Sequence, residues 1–167
     1  NQWPLEIPNF KQLMSEYHEM LTDLGERIVY KLLTVLDTNK DEMYYFKKIM
    51  TNSTGILRLL HYSGEPSQEG VVMGAGQHTD YGLVTILSID EQQQSQMGDG
   101  LQILTEKGKW MPVSPAHRNQ FVINIGDMLQ YLTANHFKST HHRVILGCST
   151  SDGQCLTNDR YSIPFFF

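Results

Sequence analysis

At Gly55 the hydrophobic pattern of this chain changes period, and that change limits the fold more than any other feature. Before it, from Phe10 to about Leu36, the residues Leu13, Tyr17, Met20, Leu21, Leu24, Ile28, Leu32 and Val35 recur at three- and four-residue steps. That spacing puts apolar side chains on one face of a helix and predicts a long amphipathic helix with one buried stripe. "DTNKDE" breaks the pattern, and "MYYFKKIM" predicts a shorter second helix. After Gly55 come "ILRLLHY", "GVVMGAGQH", "GLVTILSI", "GLQILT", "KWMPV", "QFVINI", "HHRVIL" and "RYSIPFFF". These are short runs rich in β-branched and aromatic residues, punctuated by Gly, Asp, Asn and Ser. Eight short strands predict a sandwich or jelly roll, not βαβ units. The polar segments "SGEPSQEG" and "DEQQQSQMGDG" are expected as loops. The chain divides into helical residues 1–54 and a mainly β unit over 55–167, which fold together as one domain.

A chain of 167 residues with 40% hydrophobic content can bury a real core. Its net charge of −5, with no basic stripe, argues against nucleic-acid binding. No apolar run is long enough to span a bilayer. Cys148 and Cys155 lie together in "GCSTSDGQC"; they could pair across a hairpin, but two free thiols in a reducing compartment are expected. The expected location is the cytoplasm, the expected assembly a monomer, and the expected partner a small molecule. The chain opens on Asn1 and stops at the apolar run "IPFFF", which reads as a piece of something longer.

Chemistry concentrates in three places. In "QHTDYG", His78 and Asp80 are two residues apart and share a face if the strand is extended. A neutral imidazole and a carboxylate make two-thirds of a mononuclear metal site. "FKSTHHRV" offers a third ligand, His141 or His142, and a sandwich can bring the two strand ends to one mouth. Two histidines and a carboxylate leave the remaining metal positions open, as in non-haem Fe(II) oxygenases, whereas a full protein cage would suggest structural zinc. Finally, Arg160 and Ser162 share a face of the last strand. There a guanidinium fork and a hydroxyl can take a carboxylate. Pro164 and Phe166 continue that face, so Phe166 either stacks on a flat or apolar substrate or is ordinary core. Gly126-Asp127 reads as a tight turn with Asp127 capping a short helix. His18, His61, His117 and His136 lack metal-ligand spacing and are expected to be non-catalytic.

The ordered set "NQWP", "LRLLHY", "GAGQHTDYGLVTIL", "GLQIL" with "GKWMPV", "NIGDMLQYLT", "FKSTHHRV" and "RYSIPFF" resembles the iron- and 2-oxoglutarate-dependent dioxygenase superfamily. The similarity is to the branch containing isopenicillin N synthase and the plant flavonoid and hormone oxidases. It implies a double-stranded β-helix (jelly-roll) core with His78, Asp80 and His142 as iron ligands, the last through a Ser-x-x-His-Arg pattern. It further implies that Arg160 and Ser162 hold the distal carboxylate of 2-oxoglutarate, with Tyr62 as another contact. Fe(II), 2-oxoglutarate and O2 are the implied cofactors and co-substrates, with ascorbate as a reductant. The implied reaction is a hydroxylation, desaturation or cyclisation in secondary metabolism, with release of succinate and CO2. The sequence departs from many plant members at Leu60 and Ser63, where they carry Asn and Pro, and it lacks the family's further N-terminal region and C-terminal helix. Two rival readings are an Fe(II) oxidase of the same fold that needs no 2-oxoglutarate, and a metal-binding jelly roll without turnover. A zinc hydrolase is disfavoured because no carboxylate base has zincin-like helical spacing.

Strand parity separates the adjacent histidines. His141 shares a face with Arg143, whose fixed positive charge would repel Fe(II), whereas His142 shares a face with apolar Val144. His142→Ala is therefore expected to abolish Fe(II) binding in a metal titration, and His141→Ala to leave it largely intact. The reverse result would mean a strand register misread by one.

Overall fold

Helix α1 (Phe10–Val35) runs for 26 residues and buries Leu21, Gly25, Val29 and Leu33, a strict four-residue step. In this computed structural model the described residues are 3–51, 54–63, 72–89, 100–113, 119–146, 149–151, 154–156 and 160–167. The buried face of α1 is turned relative to the expected stripe. Leu13, Met20 and Val35 are 58%, 70% and 77% exposed, while Tyr17, Leu24, Ile28 and Leu32 flank the buried row. The cause is Gly25, which a hydrophobic pattern does not count. Its bare Cα lets the Phe167 ring approach so closely that an added Cβ would lie 2.8 Å from the ring. The helix seats on the sheet at that point, and Val29 and Leu33 follow it inward.

Helix α2 (Lys40–Thr51) starts three residues before the expected run, because "KDE" forms its first turn and does not break it. Asn39 Oδ1 accepts from the Asp41 and Glu42 amides at 3.0 Å each, and Glu42 Oε2 accepts from the Asn39 amide at 3.1 Å. This reciprocal capping box satisfies amides that the first helical turn leaves without partners.

The β unit comprises β1 (Ile56–Leu57), β2 (Leu60–Tyr62), β3 (Val72–His78), β4 (Val84–Ile89), β5 (Gly100–Leu104), β6 (Trp110–Pro112) and β7 (Val122–Ile125). After helix α3 (Asp127–Leu132) follow β8 (His142–Leu146), β9 (Ser149–Ser151), β10 (Gln154–Leu156) and β11 (Arg160–Phe166). Each of the eight expected runs holds strand, with the first split into β1 and β2; β9 and β10 form an additional antiparallel pair. Cys148 lies outside the described residues, as does the Cys155 side chain, and so does the expectation about thiols. The two polar segments expected as loops also fall largely there.

Two antiparallel sheets face one another. One has the order β1-β11-β4-β7, with β2 also on β11, and the other the order β3-β8-β5-β6. Alternation sorts the first sheet's side chains. Val84, Ile86 and Phe165 point to the helices and are fully buried there. Thr85, Leu87, Ser162, Pro164 and Phe166 point the other way, into the space between the sheets. Tyr17 of α1 also reaches β4, hydrogen-bonding Ser88, and burial raises its phenol pKa above the ordinary value. Phe165 anchors the helical layer, with its ring packed edge-on to His18 at 5.2 Å. His18 in turn bonds the Gly55 carbonyl at 2.8 Å, a structural role. Phe165→Ala should cost about 3–5 kcal/mol, measured as a fall in the denaturation midpoint. A loss below about 1 kcal/mol would mean that the helices are not seated through this ring.

Candidate metal centre and its cavity

The register of β3 on β8 places His78 directly opposite His142, with ring centroids 4.3 Å apart. Two irregularities in β3, between Met73 and Ala75 and between Ala75 and His78, set that pairing. His78 is the last residue of β3, so Asp80 does not share a strand face with it as strict alternation expected. Asp80 sits in the turn between β3 and β4, and the chain bends there to bring its carboxylate under both rings. Asp80 Oδ1 lies 3.8 Å from His78 Nε2 and 3.6 Å from His142 Nε2.

Each imidazole is held from behind. His78 Nδ1 is 2.7 Å from the Gly76 carbonyl oxygen and His142 Nδ1 is 3.0 Å from that of Thr140. A carbonyl oxygen only accepts, so Nδ1 is the donor in both rings and Nε2 is the nitrogen turned toward the carboxylate. The carboxylate is held in the same way. Asp80 Oδ2 accepts from Thr85 Oγ1 at 2.6 Å and from Asn124 Nδ2 at 2.8 Å, which leaves Oδ1 directed at the histidines. Such outer contacts fix the orientation and basicity of metal ligands.

The turn carrying Asp80 is pinned by the start of α3. The Asp127 amide donates to the Asp80 carbonyl at 2.7 Å, and the Met128 amide to those of Tyr81 and Gly82 at 3.2 and 3.1 Å. Gly126 is the N-cap, and no side chain caps the helix, so the expected capping role of Asp127 is corrected. Its carboxylate instead accepts from Thr79 Oγ1 at 3.0 Å. Gly126 is needed for proximity: a Cβ there would collide with the Gly82 carbonyl oxygen.

His78, Asp80 and His142 each offer one ligand atom, and these lie within 4.8 Å of one another. Two imidazole nitrogens with their rings held in orientation and one carboxylate oxygen, gathered on one side, are a donor set that fits a divalent ion with open positions. His141 is exposed and precedes the strand. Arg143 faces away, its guanidinium 4.0 Å over the Trp110 ring and its Nε donating to Gln102 at 2.9 Å.

The three donors open into a cavity of about 480 Å³ between the sheets. Ser162, Tyr62 and Phe166 line it, and apart from the donors the described wall is mostly aliphatic. Arg160 pairs with Tyr62 across β11 and β2 and is buried, at 8% exposure. It is not among the described lining residues. Its guanidinium packs on Gly100 of β5, where the φ of +98° and the missing Cβ make room for it. Among the expected site residues, the structure thus gathers the three donors, Ser162, Tyr62 and Phe166 round one space and sets Arg160 beside it. His61 stacks on Tyr161 and His136 bonds its own local turn, while His117 lies outside the described residues.

Spacing in the sequence does not single out the supports Thr85, Asn124, Thr79, Gly76 and Thr140. The available signal was a lone polar residue inside an apolar strand, in "LVTIL" and "VINI". Thr85→Val leaves Asp80 Oδ2 short of a donor and should weaken Mn(II) or Fe(II) binding about tenfold or more in a calorimetric titration. An unchanged affinity would show that Asn124 alone orients the carboxylate.

Comparison with known proteins gives a consistent picture. The chain is 33% identical over 173 residues to the 2-oxoglutarate-Fe(II) type oxidoreductase hxnY of Emericella nidulans, covering all of this chain and 44% of that protein. It superposes on JOX2 in complex with 2OG, Fe and JA with a TM-score of 0.78 at 34% identity, over 98% of this chain and 44% of that one. The dioxygenase for auxin oxidation 1 from Arabidopsis thaliana, in its complex with 2-oxoglutarate, matches at a TM-score of 0.74 and 25% identity, over 96% of this chain and 53% of that one. The chain therefore spans about half the length of these relatives. Its mainly antiparallel sheets with N-terminal helices form the jelly-roll fold they share. The sequence profile of the 2OG-Fe(II) oxygenase superfamily matches residues 53–167, the whole β unit that carries the His-Asp-His cluster, and the chain belongs to that superfamily.

Proposed function

We propose that this chain supplies the catalytic core of a non-haem Fe(II)- and 2-oxoglutarate-dependent oxygenase acting on a small organic molecule. The observation that carries this reading is the convergence of His78 Nε2, His142 Nε2 and Asp80 Oδ1 on one point in the cavity wall. In this reading those three residues hold Fe(II), with Thr85 and Asn124 keeping the carboxylate aimed. Arg160 and Ser162 take the distal carboxylate of 2-oxoglutarate, helped by Tyr62, and Phe166 presents an aromatic face to the substrate. With 2-oxoglutarate and O2, the bound iron supplies the oxidising chemistry: for a hydroxylation, one oxygen atom enters succinate, CO2 leaves, and the other oxygen enters the product. The protein's own work is to orient the donors, exclude water with an aliphatic wall, and place the substrate C–H bond near the metal face.

The same reading assigns residues 1–54 as a helical buttress, with α1 its long amphipathic element, and 55–167 as the oxygenase core. It places a monomer in the cytoplasm, with ascorbate keeping the iron reduced. No described helix is long and apolar enough to cross a membrane. The decisive measurement is anaerobic titration with Fe(II) and 2-oxoglutarate, followed by admission of O2. The expected result is an iron-to-keto-acid charge-transfer band, then succinate. Absence of the band in folded protein would overturn the use of 2-oxoglutarate.

A further inference from the structure

The cavity wall contains one permanent cation among its described residues, Arg58. It follows β1, and its amide donates to the Pro164 carbonyl at 3.0 Å, which ties it to β11 at the level of the cavity. Arg58, Leu60 and Tyr62 alternate onto the same lining face. The guanidinium carbon of Arg58 sits 5.4 Å from the centre of the Phe166 ring, so one side chain fixes the other. None of the ion pairs among the described residues engages Arg58. The residue is exposed, on a wall that is mostly aliphatic apart from the metal donors and their polar supports. Arg160, by contrast, is buried against Gly100.

We infer that Arg58 is a substrate-recognition residue and that the primary substrate is a mostly apolar small molecule bearing one carboxylate. This rests on the oxygenase reading of the same cavity and names its substrate class. A guanidinium fork matches a carboxylate with two parallel hydrogen bonds, and the Phe166 face beneath it takes the adjoining carbon skeleton. A positively charged substrate is disfavoured at that wall, and a neutral one leaves the guanidinium to water. Because Arg58 is partly in solvent, its carboxylate contact contributes about tenfold in affinity.

The test uses octanoate, octanamide and octylamine as probes of equal chain length, titrated calorimetrically into the Mn(II)-loaded protein with and without 2-oxoglutarate. Octanoate should bind about tenfold more tightly than octanamide, with octylamine weakest. Arg58→Leu should erase that preference and Arg58→Lys should keep part of it, both leaving 2-oxoglutarate affinity unchanged. Arg160→Leu should lose 2-oxoglutarate and keep the octanoate preference. Equal binding of acid and amide, a preference that survives in Arg58→Leu, or no binding of any probe would overturn the proposal. So would a loss of 2-oxoglutarate affinity in Arg58→Leu, which would assign Arg58 to the co-substrate. If the unaltered protein fails to bind 2-oxoglutarate, the function proposed above fails, while the octanoate-to-octanamide ratio still decides the role of Arg58.

Discussion

The two oxygens of the Asp80 carboxylate do different work, and the site depends on keeping them apart. Oδ2 is committed inward to Thr85 and Asn124, from β4 and β7, and Oδ1 is left for the histidines of the opposing sheet. A buried carboxylate with both oxygens satisfied by protein would be a poor ligand, and one with neither satisfied would be costly to bury. Here the division follows from the sandwich: one sheet supplies the hydrogen-bond donors and the other the imidazoles. The amides at the start of α3 then hold the turn that carries Asp80, so helix, turn and both sheets meet at one residue.

Alternation along β4 and β11 connects this centre to the rest of the molecule. Phe165 goes to the helices and Phe166 to the cavity, adjacent residues that serve two separate surfaces. A shift of one residue would still put a phenylalanine on the cavity face, but it would turn Ser162 and Pro164 away from the cavity. The helical layer therefore does more than cover apolar surface; by seating Phe165 and Phe167 it fixes which side chains the cavity receives.

Much of this was legible in the residues. The change of period at Gly55 separates helices from strands, and each strand run contains a real strand, because alternating apolar residues have a direct geometric meaning. Parity around His142 matched the side chains: His142 and Val144 line the cavity, and Arg143 turns to Trp110. Parity was a poor guide at Asp80, since the strand ends at His78 and a turn has no fixed two-residue period. It also could not show the capping box at Asn39 or the seating of α1 at Gly25, because both depend on what a residue meets and not on how apolar it is. The hydrogen bonds of Thr85 and Asn124 were illegible for the same reason. Each is a pairing between segments 5 to 44 residues apart in sequence.

The pairing of β11 carries a consequence for assembly. Phe166 lies opposite both Ile56 and Thr85, so the last strand fills a gap between strands made about a hundred residues earlier. Contacts of such separation have a high loop-closure cost and form late. Until β11 arrives, β4 lacks one of its two neighbours and the first sheet has an open slot exposing backbone donors and acceptors. During synthesis, β1 and β4 are thus made well before the strand that joins them, and the chain passes through a stage with a vacant strand position that another extended segment could occupy.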